Sequence, residues 1–128
     1  MATEAGIGPT MRLAFDHELG RYRAAKQAGD PVAAWRALER AHIVSQTHLP
    51  IHMRVHLEML RFAISLRDWR EVFGQLVRLA LAPLGSLTGR IPIGNTGRST
   101  VSAFTPMLIP DDLLGILKPG HHRESRNG

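Results

Sequence analysis

The stretch LPIHMRVHLEMLRFAISL, residues 49–66, decides the fold because its polar and apolar side chains repeat with the period of an α-helix. With about 100° between successive residues, Arg54, Glu58 and Arg61 fall on one side of this helix. The opposite side carries His52 and His56, one turn apart, among apolar residues. The pattern therefore predicts an amphipathic helix that directs two histidines towards the core.

Three more helices are predicted around this one, separated by glycine, proline and aspartate. Thr10 is the expected cap of the first helix, and Pro31 suits the first turn of the second. Asp68 and Glu71 form a capping box for the fourth, which we expect to stop before Pro83. The four helices are predicted over residues 10–28, 31–46, 47–66 and 68–82. Because the connections are short, we predict an all-α fold of two antiparallel hairpins, with tetratricopeptide-like packing.

The residues after the fourth helix have a different composition, in which glycine and proline alternate with large apolar residues. We predict an ordered extended C-terminal arm over 87–110 that packs on the helices, followed by a short helix over 111–117. The chain is then a single domain over 10–117, with flexible tails at 1–9 and 118–128. The arm residues expected to contact the helices are Ile91, Ile93, Val101, Phe104 and Ile109.

The composition narrows the possible classes of protein. A hydrophobic content of 44% in 128 residues is ordinary for a single globular domain. The chain has no cysteine, which excludes disulfides, thiolate metal ligands and cysteine nucleophiles. Its most apolar stretch, residues 76–87, is shorter than the roughly 20 apolar residues that span a bilayer. Residues 1–10 lack the pattern of a secretory signal, so we expect a cytoplasmic protein without a membrane span.

The net charge of +5 comes almost entirely from arginine. A basic charge is typical of proteins that bind nucleic acids. The arginines of this chain are scattered, however, and few aromatic residues lie among them. Gly94 and Gly97 also lack the lysine of a phosphate-binding loop. We therefore expect no specific binding of DNA or RNA.

Two neighbouring helices also direct polar side chains inwards. His42 lies at the edge of the apolar face of the second helix, with Glu39 further towards solvent. On the first helix, Glu18 falls among apolar residues, opposite the polar side. The fourth helix is expected to have no inward polar residue, because four hydrophobic side chains define its apolar face: Trp69, Val72, Leu76 and Leu79.

The short connection between the second and third helices places three histidines together, because residues equally distant from a connection lie side by side. We predict a metal site formed by His42, His52 and His56 and completed by Glu18 or Glu39. Histidines at i and i+4 share one helix face, and imidazole with carboxylate suits zinc, iron, manganese or copper(II). His17 and His48 are weaker candidates, since one lies off the apolar centre and the other at a helix start.

Two other interpretations of this His/Glu group stay open. The histidines can form a neutral hydrogen-bonded network, which makes the chain a helical-hairpin interaction module for a protein partner or a second copy. Histidine and glutamate can also transfer protons, which makes the chain an unrecognised metal-dependent enzyme. Burying so many polar groups is costly unless something satisfies them, and this favours a metal.

Several motifs of the chain resemble an uncharacterised family of small bacterial proteins, a domain of unknown function. They are AFDHE at 14–18, LERAHI at 38–43, HMRVH at 52–56, PIGNTG at 92–97, VSAF at 101–104 and PM at 106–107. The resemblance covers most of 15–117, and Leu108 stands where the family usually has proline. Members tend to be encoded near heavy-metal resistance functions. The resemblance therefore implies a metal-related role, and we expect a small metal-binding or metal-stress accessory protein that uses zinc, iron or copper.

Overall fold

A computed structural model describes residues 8–88, Arg98 and residues 109–117, and these residues form five α-helices. The helices are α1 (Pro9–Gln27), α2 (Pro31–Ser45), α3 (Leu49–Ser65), α4 (Trp69–Thr88) and α5 (Asp111–Leu117). The described part of the chain contains no strand, so the predicted all-α class is confirmed. It holds five helices rather than four, because the short helix expected after the arm is present. None of the five is both long and apolar enough to cross a membrane.

The starts of the helices follow from local chemistry. The Asp30 carboxylate accepts a hydrogen bond from the backbone N–H of Ala33 at 3.1 Å and caps α2. The Asp68 carboxylate does the same for the N–H of Glu71 at 3.2 Å, as predicted for α4. The prediction that Thr10 caps α1 is wrong, since the helix already begins at Pro9. Proline has no N–H to satisfy and a fixed φ that suits the first helical position.

The predicted end of the fourth helix is also wrong, because α4 continues through Pro83 to Thr88. A proline removes one helical hydrogen bond at its own nitrogen, but later residues can still donate to the carbonyls before them. Residues 87 and 88 of the predicted arm therefore belong to α4. The arm residues Ile91, Ile93, Val101 and Phe104 lie outside the described residues, as do residues 1–7 and 118–128. Ile109 is partly buried against the core.

The core lies where α1, α2 and α3 meet. α1 packs along α2, α3 packs along α4, and α2 contacts α3, while α5 lies against α1 and α2. The ring of Phe62 on α3 is 5.5 Å from the ring of Tyr22 and 5.0 Å from that of Trp35, measured between centroids. This aromatic contact joins three helices, and it fixes α2 and α3 side by side. The buried hydrophobic residues include Phe15, Leu19, Ala34, Leu38, Ala41, Val55, Met59, Ala63 and Leu113.

The apolar face predicted for α4 is wrong. Trp69 is 64% exposed and Leu76 is 51% exposed, whereas Val72 and Leu79 are only partly buried. The buried side of α4 is polar instead, and consists of Glu71, Gln75 and Arg78. These residues have hydrogen-bonding partners on other elements, which offset the cost of removing them from water. As a result, α4 presents a polar stripe to the interior and leaves large hydrophobic side chains outside.

Candidate metal centre

Three histidines meet inside the protein, one from α2 and two from α3. His42, His52 and His56 are only 3%, 5% and 2% exposed. The Nε2 atom of His56 lies 2.9 Å from Nε2 of His52 and 3.1 Å from Nε2 of His42. One ligand nitrogen from each ring lies within 4.8 Å of the other two. The group therefore directs three nitrogen atoms towards one point between the two helices.

The sequence produces this convergence through helical period and a short connection. His52 and His56 are four residues apart on α3, and their rings stack with centroids 4.8 Å apart. The connection between α2 and α3 places His42 at the same level, with its ring edge-on to both others at 4.7 Å. The structure thus brings together the three histidines that the sequence predicts as ligands.

A hydrogen-bonded chain on α4 orients the ring of His56. The Nδ1 atom of His56 lies 2.8 Å from Oε1 of Gln75, and Nε2 of Gln75 donates to the Glu71 carboxylate at 3.3 Å. Because the amide nitrogen of Gln75 faces the carboxylate, its oxygen faces the histidine and requires a proton on Nδ1. The Nε2 atom of His56 then carries a lone pair. An outer partner of this kind typically orients a metal-binding histidine.

Hydrogen bonds among the three rings cannot account for both Nε2 contacts of His56 at once. With its proton on Nδ1, His56 has one Nε2 lone pair, which can accept a proton from His42 or from His52 but not from both. A metal ion at the centre accepts a lone pair from each ring. A tetrahedral ion with metal–nitrogen bonds of about 2.0–2.1 Å separates its ligand nitrogens by about 3.3 Å, close to the observed contacts. The donor set therefore fits a transition metal.

Burial keeps His52 and His56 in the neutral form that binds metals. Removal from water lowers the pKa of His56 to about 4, against the opposing effect of its bond to Gln75. Burial also lowers the pKa of His52, which the backbone of Gln46 partly opposes. Since metal ligation needs unprotonated imidazole, both rings have lone pairs available at neutral pH.

Arginine side chains lie near the Glu71 carboxylate, which accepts the hydrogen bond from Gln75. Glu71 is 1% exposed and accepts a hydrogen bond from Nε of Arg98 at 3.0 Å. The Arg98 guanidinium also lies 4.0 Å from the centre of the Trp35 ring, in cation–π geometry. A second arginine, Arg78, is buried and donates to the backbone oxygen of Arg98 at 2.7 Å. The charge of Glu71 is therefore offset by arginine next to the histidines.

The sequence analysis does not identify the residues that lie behind the histidines. Glu71, Gln75 and Arg78 follow one another at i, i+4 and i+7, so they form a continuous polar stripe that a helical projection could have found. The hydrophobic residues of the helix predict the other side as the buried one. Arg98 lies outside any local pattern, and only its contacts in the folded chain connect it to the site.

The five helices and the histidine group belong to a recognised protein family. A model of the DUF3703 family, described as a protein of unknown function, matches residues 9–117. The chain belongs to this family. No curated protein and no solved structure is similar enough to count as a match. The three histidines lie inside the matched range, so they are part of the DUF3703 domain itself.

The two glutamates predicted to complete the site lie close to arginine side chains in the DUF3703 domain. Glu18 is buried and accepts a hydrogen bond from Nε of Arg40 at 2.8 Å. Glu39 is partly buried, lies 3.7 Å from Arg98, and has its pKa raised by burial despite that arginine. The potential metal-binding group found among the described residues consists of the three histidines. The structure thus pairs both glutamates with arginines.

Proposed function

We propose that this protein binds one transition-metal ion through His42, His52 and His56. The observation that carries the proposal is the convergence of three buried Nε2 atoms, with two contacts of 2.9 Å and 3.1 Å. A proton on a neighbouring ring can account for only one of these two contacts, whereas a metal accepts all three lone pairs. Zinc, iron and copper all bind imidazole, so each is a candidate ion.

The proposed role is that of an accessory protein in metal stress, acting in the bacterial cytoplasm. The metal-related role implied by the family resemblance supports this proposal. We propose binding rather than catalysis because the nearby carboxylates of Glu39 and Glu71 pair with Arg98 instead of lying free as general bases. A buried ligand group also suits retention of a metal better than turnover of a substrate.

Metal analysis of untagged protein tests this proposal. The parent protein, as isolated and after reconstitution with zinc, iron(II) or copper, is expected to hold one ion per chain. The double variant His52→Ala, His56→Ala is expected to hold none, whereas the matched control His17→Ala removes an exposed histidine and retains the ion.

Far-UV circular dichroism shows whether the double variant folds. If it does not, the milder His42→Gln variant replaces it in the comparison. Failure of the parent to bind any of these metals at micromolar concentration, or equal binding by parent and folded variant, overturns the proposal.

A second candidate function is protein interaction, with the α1–α2 and α3–α4 pairs as antiparallel hairpins. Trp69 and Phe73 of α4 are 64% and 70% exposed, and Leu76 and Ala80 continue the same stripe. The spacing of four, three and four residues is that of a helix-pairing seam. Soluble domains rarely leave such a stripe uncovered unless another surface binds it.

The occupant we propose for this stripe is a second copy of the chain. In an antiparallel pair of α4 helices, Trp69 lies opposite Ala80 and Phe73 lies opposite Leu76, so large side chains face smaller ones by two-fold symmetry. Sedimentation of Phe73→Glu is expected to give a monomer where the parent gives a dimer. A monomeric parent overturns this proposal and leaves the metal proposal intact.

A further inference from the structure

We infer that the histidine site takes a monovalent ion, copper(I), in preference to a divalent ion such as zinc. This inference rests on the proposed function, because it specifies the ion held by the same three rings. Three features carry it: the ligands have no charge, the surrounding charges cancel, and the site is buried.

The ligand group itself is neutral. Its three members are imidazoles, and no carboxylate belongs to the metal-binding group found among the described residues. All three rings are at most 5% exposed. Moving an ion from water to such a place is costly, and the cost rises steeply with the charge of the ion. Entry into this neutral, buried group is therefore costlier for a divalent ion than for a monovalent ion, unless negative charge nearby offsets the difference.

Among the residues that the structure describes, the charges behind the rings cancel. Two carboxylates, Glu71 and Glu39, lie 3.0 Å and 3.7 Å from the Arg98 guanidinium. A second guanidinium, that of Arg78, is 8% exposed on the same face of α4. Two carboxylates and two guanidiniums have a net charge of zero. These four charged groups therefore do not offset the two positive charges of zinc.

The charge and the coordination number of the ion support the same conclusion. Copper(I) adds one charge and shares it with three ligand nitrogens, whereas zinc adds two. Imidazole is a good ligand for copper, and a three-nitrogen set matches the low coordination number that copper(I) accepts.

Anaerobic titration of the metal-free protein tests the inference. Copper(I), supplied as its acetonitrile complex, competes against a chromogenic copper(I) chelator, and zinc sulfate competes against a zinc indicator. We expect one copper(I) per chain, three nitrogen neighbours by X-ray absorption, and no displacement by an excess of zinc of about tenfold. The double variant His52→Ala, His56→Ala is expected to lose this binding.

The outcomes separate the inference from the proposed function. Displacement of copper(I) by zinc, or a stoichiometric copper(II) signal by electron paramagnetic resonance after exposure to air, overturns the preference for copper(I) and leaves the metal site standing. Absence of both copper and zinc binding overturns the site as well.

A charge variant tests the physical cause. Arg98→Gln removes one positive charge beside Glu71, and electrostatic stabilisation of a bound ion scales with its charge. Zinc affinity is expected to rise about tenfold and copper(I) affinity about threefold, the square root of that factor. The matched variant Arg23→Gln removes an exposed charge on α1 and is expected to change neither. Equal affinities in Arg98→Gln and the parent overturn the charge argument.

Discussion

The Nδ1 atom of His56 on α3 lies 2.8 Å from the Oε1 atom of Gln75 on α4. Both side chains are buried, so this contact connects the rotation of α4 to the direction in which the imidazole lone pair points. The amide of Gln75 is fixed in turn by Glu71, to which it donates. The proposed metal centre therefore depends on a helix that supplies none of its proposed ligands.

Replacing Gln75 with leucine tests this dependence. The variant Gln75→Leu keeps the volume but leaves the Nδ1–H group of His56 without its acceptor, which we expect to destabilise the metal-free protein by about 1–3 kcal/mol. Metal affinity is expected to fall about 10–100-fold, as for other outer partners of ligating histidines. Chemical denaturation and competition with a chelator measure the two effects. Gln27→Leu, at an exposed position on α1, is the control, and equal behaviour of both variants would contradict the role of Gln75.

The pH dependence of the metal-free protein follows from the pKa of His56. This pKa is about 4 in the folded chain and about 6.5 when unfolded, so the unfolded state takes up the proton first as the pH falls. The contribution of His56 to stability is therefore fully present well above pH 6.5 and is lost progressively towards pH 4, with about 2 kcal/mol lost by pH 5. The lowered pKa of His52 acts in the same direction.

Urea denaturation at several pH values measures this loss. The His56→Gln variant has no titrating ring at this position, so its stability is expected to fall less over the same interval. The same slope in parent and variant would show that other groups govern the acid sensitivity.

The convergence of the histidines could be predicted from the sequence because it depends on local rules. The helical period puts His52 and His56 on one face, and a short connection fixes which residue of α2 lies opposite them. The structure places His42 there, at 3.1 Å from His56. Beyond the helical period, predicting that the three histidines converge required only the short connection between α2 and α3.

The orientation of α4 could not be predicted in the same way, because its two sides carry competing signals. One side has Trp69 and Leu76, and the other has Glu71 and Gln75. The polar side is buried because its partners come from elsewhere in the chain, and Arg98 reaches Glu71 across 27 positions. Hydrophobic periodicity contains no information about such distant partners. The inward position of Glu18 was predicted, but its pairing with Arg40 was not, for the same reason.

The pair formed by Glu18 and Arg40 is expected to stabilise the fold without contributing to metal binding. Arg40 donates to Glu18 at 2.8 Å and also to Asp112 on α5. Arg40→Met leaves the buried Glu18 carboxylate without this partner, which we expect to cost about 3 kcal/mol. Thermal and chemical denaturation measure the loss.

The double variant Glu18→Leu, Arg40→Met removes both charges and is expected to recover much of that stability. Both variants are expected to bind metal with the stoichiometry of the parent. Loss of metal in Glu18→Gln, which keeps the shape of the side chain, would instead identify Glu18 as a ligand.

Metal binding is expected to stabilise the folded chain, because the site requires α2 and α3 to be in contact. A ligand that binds only the folded state adds about 2.7 kcal/mol at a free concentration of about 100 times its dissociation constant. We expect this gain in the parent and in His17→Ala, whose missing histidine is exposed. In His42→Ala the gain is expected to fall sharply, because two imidazoles on α3 alone hold a metal weakly and do not join it to α2.

Urea denaturation of each protein, with and without a fixed concentration of free metal, measures the difference. A full gain in His42→Ala would show that the metal binds through α3 without His42.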